Sequence, residues 1–74
     1  VIRIATPADA GTALAEARRS SNWLRHDVAQ AVGMYAQQYS QYEKGQVVPT
    51  IAVLIRLAHA LGYDLALIPR EDAV

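Results

Sequence analysis

The amino-acid sequence predicts an all-α fold of four to five short helices in a single domain, 1–74, with a short strand at each end. Three observations predict it. Apolar residues recur at three- and four-residue steps through the middle of the chain. Asn, Gly and Pro punctuate those stretches at helical lengths. At both ends the period changes to the alternation of a strand. The domain divides into an N-terminal strand or arm (1–6), a helical core (7–62) and a C-terminal strand (63–69).

Val1 to Thr6 is rich in β-branched residues and alternates at Ile2 and Ile4, which reads as a strand or extended arm. Thr6-Pro7-Ala8-Asp9 then opens a helix: Thr6 as cap, Pro7 in the first turn, and Asp9 where negative charge suits the helix dipole. This first helix is expected from Pro7 to about Ser20, with Ala10, Ala13, Leu14 and Ala17 on one face, small enough for another element to approach closely. Asn22 ends it, since asparagine tolerates a left-handed C-cap, and Trp23-Leu24 forms an apolar link.

A second helix, about Arg25 to Val32, turns Val28, Ala29 and Val32 inward and stops at Gly33. Met34 and Tyr35 lead into a third, Ala36 to about Lys44, with Tyr39 and Tyr42 on one face and Gln37, Gln38, Ser40 and Gln41 on the rest. Thr50 caps a fourth, whose Ile51, Leu54, Ile55, Leu57, Ala58 and Leu61 make the widest apolar stripe in the chain. After Gly62, Tyr63 to Ile68 alternates as a strand until Pro69.

Composition narrows the function. The chain has 74 residues, 53% of them hydrophobic and 19% charged, which places it in the globular class. A domain of this size buries only about 60 to 65% of its unfolded surface, so a partner chain would help. With no cysteine there is no disulfide, no thiolate zinc site and no cysteine nucleophile. Gln46 to Ile55, the longest nearly uncharged stretch, contains Pro49 and is too short to span a bilayer, so the chain reads as soluble. A formal net charge of zero argues against a generic polyanion binder, unless the basic side chains gather on one face.

Ala29, Gly33 four residues on and Tyr39 six further on give the pattern of a helix-turn-helix. Ala29 is small because the next helix crosses close to it, Gly33 suits the tight turn, and Tyr39 and Tyr42 anchor the following helix with its opposite face free. That face carries the glutamines. A Gln amide offers a donor and an acceptor together, which matches adenine N6 and N7 in the major groove. Glutamines are also ordinary on a solvated helix face, and it is their place after this turn that favours base reading.

From Ala10 to Leu67 the chain resembles the Cro/C1-type (XRE) helix-turn-helix family. The resemblance rests on L-A-E-A-R-R, S-N-W, V-A-Q-A-V-G-M, Y-A-Q-Q-Y-S-Q-Y-E-K-G and P-T-I-A-V-L-I-R-L-A-H-A-L-G, which align without a gap. The arm before Thr6-Pro7 and the L-G-Y-D-L-A-L-I-P segment are similar to HipB-like antitoxins. The resemblance implies a lambda-repressor-like domain whose terminal strands pair between the subunits of a homodimer, through Tyr63, Leu65, Leu67 and Ile68. It implies a palindromic double-stranded DNA operator, a HipA-like serine/threonine kinase toxin as partner, and a cytoplasmic, nucleoid-associated place in a bacterium. It puts Gln37, Gln38, Gln41 and Ala36 at base-reading positions, Ala36 against a thymine methyl. Arg25, Tyr35, Ser40, Lys44 and Arg19 fall at DNA phosphates, and Arg18 with Glu43 forms a structural pair. Leu24-Arg25 departs from the family's usual Thr-Gln: Arg25 can hold a phosphate by charge, but the side-chain cap is lost.

An enzyme would need convergent reactive groups. His26 and Asp27 are neighbours that point about 100° apart on a helix. His59 has Ile55 and Tyr63 at the positions where a second metal ligand would stand, so neither a cofactor nor a metal site is expected. The competing reading is a protein-interaction module, favoured by zero net charge, Leu24, Ala36 and three exposed-looking tyrosines; a generic regulator of the same family without a toxin is the other alternative.

Overall fold

The computed structural model describes residues 1–71 and contains four helices: α1 (Asp9–Ser20), α2 (Arg25–Val32), α3 (Ala36–Glu43) and α4 (Ile51–Ala60). The third residue of each expected face decides the packing. Leu14 and Ala17 of α1, Val28 and Ala29 of α2, Tyr39 and Tyr42 of α3, and Leu54, Leu57 and Leu61 at α4 form one buried cluster. Tyr39, Leu57 and Val28 are its largest fully buried side chains. Trp23, Val32 and Met34 close the cluster from the connecting segments.

α1 begins two residues later than expected. Thr6 does not cap it; Thr6-Pro7-Ala8 forms a turn, with Asp9 N–H donating to the Thr6 carbonyl at 3.0 Å. Asp9 instead reaches back, its Oδ2 accepting the N–H groups of Ala5 (2.9 Å) and Thr6 (3.0 Å). Those two backbone donors hold the Asp9 carboxyl below the usual aspartate value. At the other end of α1, Asn22 adopts φ 59°, the left-handed conformation expected of it.

α1 and α3 meet backbone to backbone. A Cβ added at Gly11 would collide with the Tyr42 carbonyl oxygen and press on that of Glu43, so only glycine fits there. Between α2 and α3 the chain reverses at Gly33 (φ 75°), and Met34 N–H donates to the Ala29 carbonyl at 3.0 Å. Arg56 of α4 donates its Nη2 to the Val32 carbonyl, closing the C-terminal end of α2. The Thr50 cap of α4 is formed, its Oγ1 accepting from Val53 N–H at 3.3 Å.

The terminal strands are not formed within the chain. Residues 1–5 and 63–70 carry no regular secondary structure, because a strand needs a ladder partner and neither segment finds one in its own subunit. Ile2, Tyr63 and Leu65 pack partly against the core, whereas Leu67 is fully exposed and Ile68 is exposed. The stripe on α4 is also wider than the core it serves: Ile51 (68% exposed) and Ile55 face outward. Both terminal segments, α1 and α4 enclose an open groove of ≈ 1160 Å³, with Ile4, Ala13, Ile51, Leu54, Leu65 and Leu67 among its lining. No described helix is long and apolar enough to cross a membrane. Residues 72–74 of the expected domain lie outside the described residues.

Candidate nucleic-acid interface

α3 is eight residues long, and its inner face is fixed by two tyrosines. Tyr39 is completely buried and Tyr42 nearly so, which leaves the remaining side chains of a two-turn helix no choice but to face outward. Gln37, Gln38 and Ala36 are exposed, and Gln41 and Ser40 are half-buried on its flanks. Tyr35 is 84% exposed at the N-cap, with an extended backbone and no side-chain cap. Gln37 and Gln41, four residues apart, share one face of the helix.

At the entry to α2, Leu24 is an extended residue whose apolar side chain makes no cap. The expected loss is only half of the motif. Asp27, three residues on, accepts the Leu24 N–H through Oδ2 at 2.9 Å, the reciprocal arm of a capping box. Asp27 Oδ1 also lies 3.2 Å from His26 Nε2, so these neighbours, expected to diverge, are brought together by an exposed imidazole that swings back. No nucleophile adjoins them. His59 Nε2 is 3.4 Å from Asp64 Oδ1 on the exposed surface, and no group of three or more potential metal ligands occurs among the described residues.

The Arg18–Glu43 pair is present, and it is larger than a pair. Arg18 donates from Nε to Glu43 Oε2 at 2.7 Å and from Nη2 to Oε1 at 3.1 Å, and its Nη1 donates to the Trp23 carbonyl at 2.9 Å. Arg25 adds a third bond, Nε to Glu43 Oε1 at 3.1 Å. The Glu43 side chain is 1% exposed, against 12% for Arg18 and 39% for Arg25. Burial alone would raise the Glu43 pKa, but the Arg18 hydrogen bonds and charge, with Tyr39 and Arg25 alongside, hold it below the usual glutamate value. Reciprocally, the Glu43 carboxylate raises the Arg18 pKa. The Tyr39 hydroxyl is buried beside this cluster without a well-aligned hydrogen bond, and burial followed by the Glu43 carboxylate pushes its pKa far up.

Charge distribution answers the objection raised by the neutral total. Residues 18 to 44 hold four basic side chains, Arg18, Arg19, Arg25 and Lys44, against the two acidic ones, Asp27 and Glu43. The rest of the chain holds three basic against five acidic. Glu43 is sealed in the interior, while Arg19 and Lys44 are exposed, so the surface around α2 and α3 presents positive charge.

Two successive short helices joined at a left-handed glycine, the second anchored by its inner aromatics and open on its outer face, define a helix-turn-helix domain. The helix-turn-helix family model matches residues 14–68, most of the chain. This chain belongs to that family, of the Cro/C1 (XRE) type, whose members are DNA-binding domains and not enzymes. Searches of curated proteins and of solved structures returned no match.

Four contributors to this region escaped the sequence reading. Gly11, Asp27, the Arg25–Glu43 bond and the reach of Asp9 each depend on where a neighbouring backbone runs. Asp27 had a signal in its capping-box spacing from Leu24. Gly11 had one too, as a glycine inside a helix otherwise lined with alanines.

Proposed function

We propose that this chain is a sequence-specific transcriptional repressor that binds a palindromic operator as a homodimer. The observation that carries the reading is the division of α3, with Tyr39 and Tyr42 sealed inside and Gln37, Gln38 and Ala36 turned out beside a positively charged surface. Gln37, Gln38, Gln41 and Ala36 read base edges in the major groove, and Arg25, Tyr35, Ser40, Lys44 and Arg19 hold phosphates. The homodimer is supported by the unpaired segments 1–5 and 63–70 and by the apolar groove beside them. Two α3 helices would then enter successive major grooves roughly 34 Å apart, and occupancy of the operator blocks transcription. Tyr63 and Leu65 spend part of their side chains on their own subunit, so Leu67, Ile68 and the exposed Ile51 carry more of the intersubunit contact than the sequence suggested. The antitoxin role, with a HipA-like kinase as partner, is supported by the sequence similarity of the arm and the C-terminal segment to HipB-like antitoxins.

A gel shift with duplexes from the chain's own upstream region, repeated across a salt series, tests the reading. The expected result is saturable binding at low salt that weakens steeply as salt rises, because each phosphate contact releases counterions. Failure to bind any such duplex at low salt would overturn it. A protein-interaction module is the second reading, and one observation favours it. Leu24 (61% exposed) and Tyr35 (84%) put apolar and aromatic surface at the N-terminal ends of α2 and α3, where phosphate-binding groups are expected. Co-purification of a kinase without any operator binding would select it.

A further inference from the structure

Arg25 stands at the first position of α2, and its guanidinium crosses to the far end of α3 to meet Glu43. Only Nε is used in that bond. Among the described residues no hydrogen bond takes Nη1 or Nη2 of Arg25, and the side chain remains 39% exposed. Glu43 does not need Arg25 for neutralisation, since Arg18 already meets both carboxylate oxygens. Arg18 is in turn fixed by the Trp23 carbonyl, so the carboxylate that Arg25 touches is a buried and immobile acceptor. A guanidinium held by Nε keeps its two outer nitrogens side by side in one plane, the fork that matches two oxygens of a phosphate.

We infer that Glu43 is a positioning residue for DNA backbone binding. It holds Arg25 by the Nε–H so that Nη1 and Nη2 grip one phosphate per subunit. The inference rests on the DNA-binding reading above and adds to it a reason why arginine stands at this position. A side chain of this length loses rotamer freedom on binding, and an internal acceptor that has already ordered it removes much of that loss. Lysine cannot substitute: its ammonium is a point charge that can serve the carboxylate or the phosphate but offers no planar fork.

The test is a salt titration of binding to a mixed-sequence duplex by the wild-type chain, Arg25→Gln and Arg25→Lys, with a thermal melt of each. A mixed-sequence duplex suffices because a phosphate contact is independent of sequence. Arg25→Gln should flatten the slope of log K against log salt by about 0.9, one phosphate contact. Arg25→Lys should keep the slope but bind several-fold more weakly at every salt. In the wild-type chain, the Arg25 Nε–H resonance should stay protected from exchange with and without duplex, while the Nη protons shift on binding. That measurement needs no variant to fold.

Three results would overturn the inference while leaving the DNA-binding reading intact. These are an unchanged slope in Arg25→Gln, wild-type affinity in Arg25→Lys, or loss of Nε–H protection when duplex is added. Absence of any binding by the wild-type chain at low salt would instead remove the reading and the inference together.

Discussion

The two faces of the molecule solve opposite problems. Around Glu43 every polar group is tied: three arginine hydrogen bonds, a backbone carbonyl and a buried tyrosine lock α1, α2 and α3 into one piece. Across the molecule, the terminal segments and α4 leave Ile51, Ile55, Leu67 and Ile68 exposed along an open groove. Order in the first region is complete within one chain, whereas the second holds apolar surface that its own chain does not cover. A chain this short can fix the geometry of one face from within, and it leaves the other to be finished by contact.

The largest effect should come from breaking the locked face. Glu43→Ala strands Arg18, a nearly buried cation, and should cost about 3–5 kcal/mol in a denaturant melt. The same cluster sets the pH response. Because the folded Glu43 pKa lies below its ordinary 4.5, its contribution is full above that value and is lost as pH falls through the folded pKa. The raised Tyr39 pKa acts in the other direction: its contribution is full below the ordinary 10.0 and is lost as pH rises beyond it. Melts from acid to alkaline pH should therefore narrow from both sides, and Glu43→Gln should remove the acid limb.

Gly11→Ala is the next test. On an open helix this change stabilises by roughly 0.5–1 kcal/mol, but here the added methyl meets the Tyr42 carbonyl, so a loss of about 1–3 kcal/mol is expected. A gain would mean that α1 and α3 stand further apart. Gln37→Ala should leave the melt unchanged and cost about 1–3 kcal/mol of operator binding, with preference relaxed at one base pair; an equal loss on every sequence would count against base reading. Smallest of all in the folding assay is Leu67→Glu, expected within about 0.5 kcal/mol of wild type because the side chain touches nothing in its own subunit. In sedimentation it should shift dimer to monomer. This substitution is a cleaner probe than truncation after Gly62, which would also strip Tyr63 and Leu65 from the core.

Most of the helical frame was legible because it rests on local rules. Ala10, Ala13, Leu14 and Ala17 share a face by spacing alone, Thr50 caps α4, and Asn22 and Gly33 end their helices in the left-handed conformation. Tyr39 and Tyr42 were placed inside by the same periodicity. The misses arise where a local rule competes with a distant partner. Thr6 satisfies the pattern of a cap, yet the carboxylate of Asp9 captures the backbone donors first. The alternation at Tyr63 to Ile68 has the period of a strand, but period does not supply a ladder. Arg25 was assigned to phosphate from charge and position, while its bond to Glu43, eighteen residues away, lies beyond any pattern in the sequence. Ile51 and Ile55 fit the α4 stripe and still fall outside the core, because helical spacing defines a face without saying how wide a partner waits beneath it.

The contact between Gly11 and the Tyr42 carbonyl has a mechanical consequence. Side chains between packed helices can change rotamer and let the helices slide, but a backbone resting on a backbone has no such slack. α3 therefore travels with α1 as one rigid tooth. When two such teeth meet a duplex whose half-sites are spaced imperfectly, the adjustment falls on the joint between subunits or on the curvature of the DNA, and spacing variants of an operator should be graded by the stiffness of those two elements rather than of the reading head.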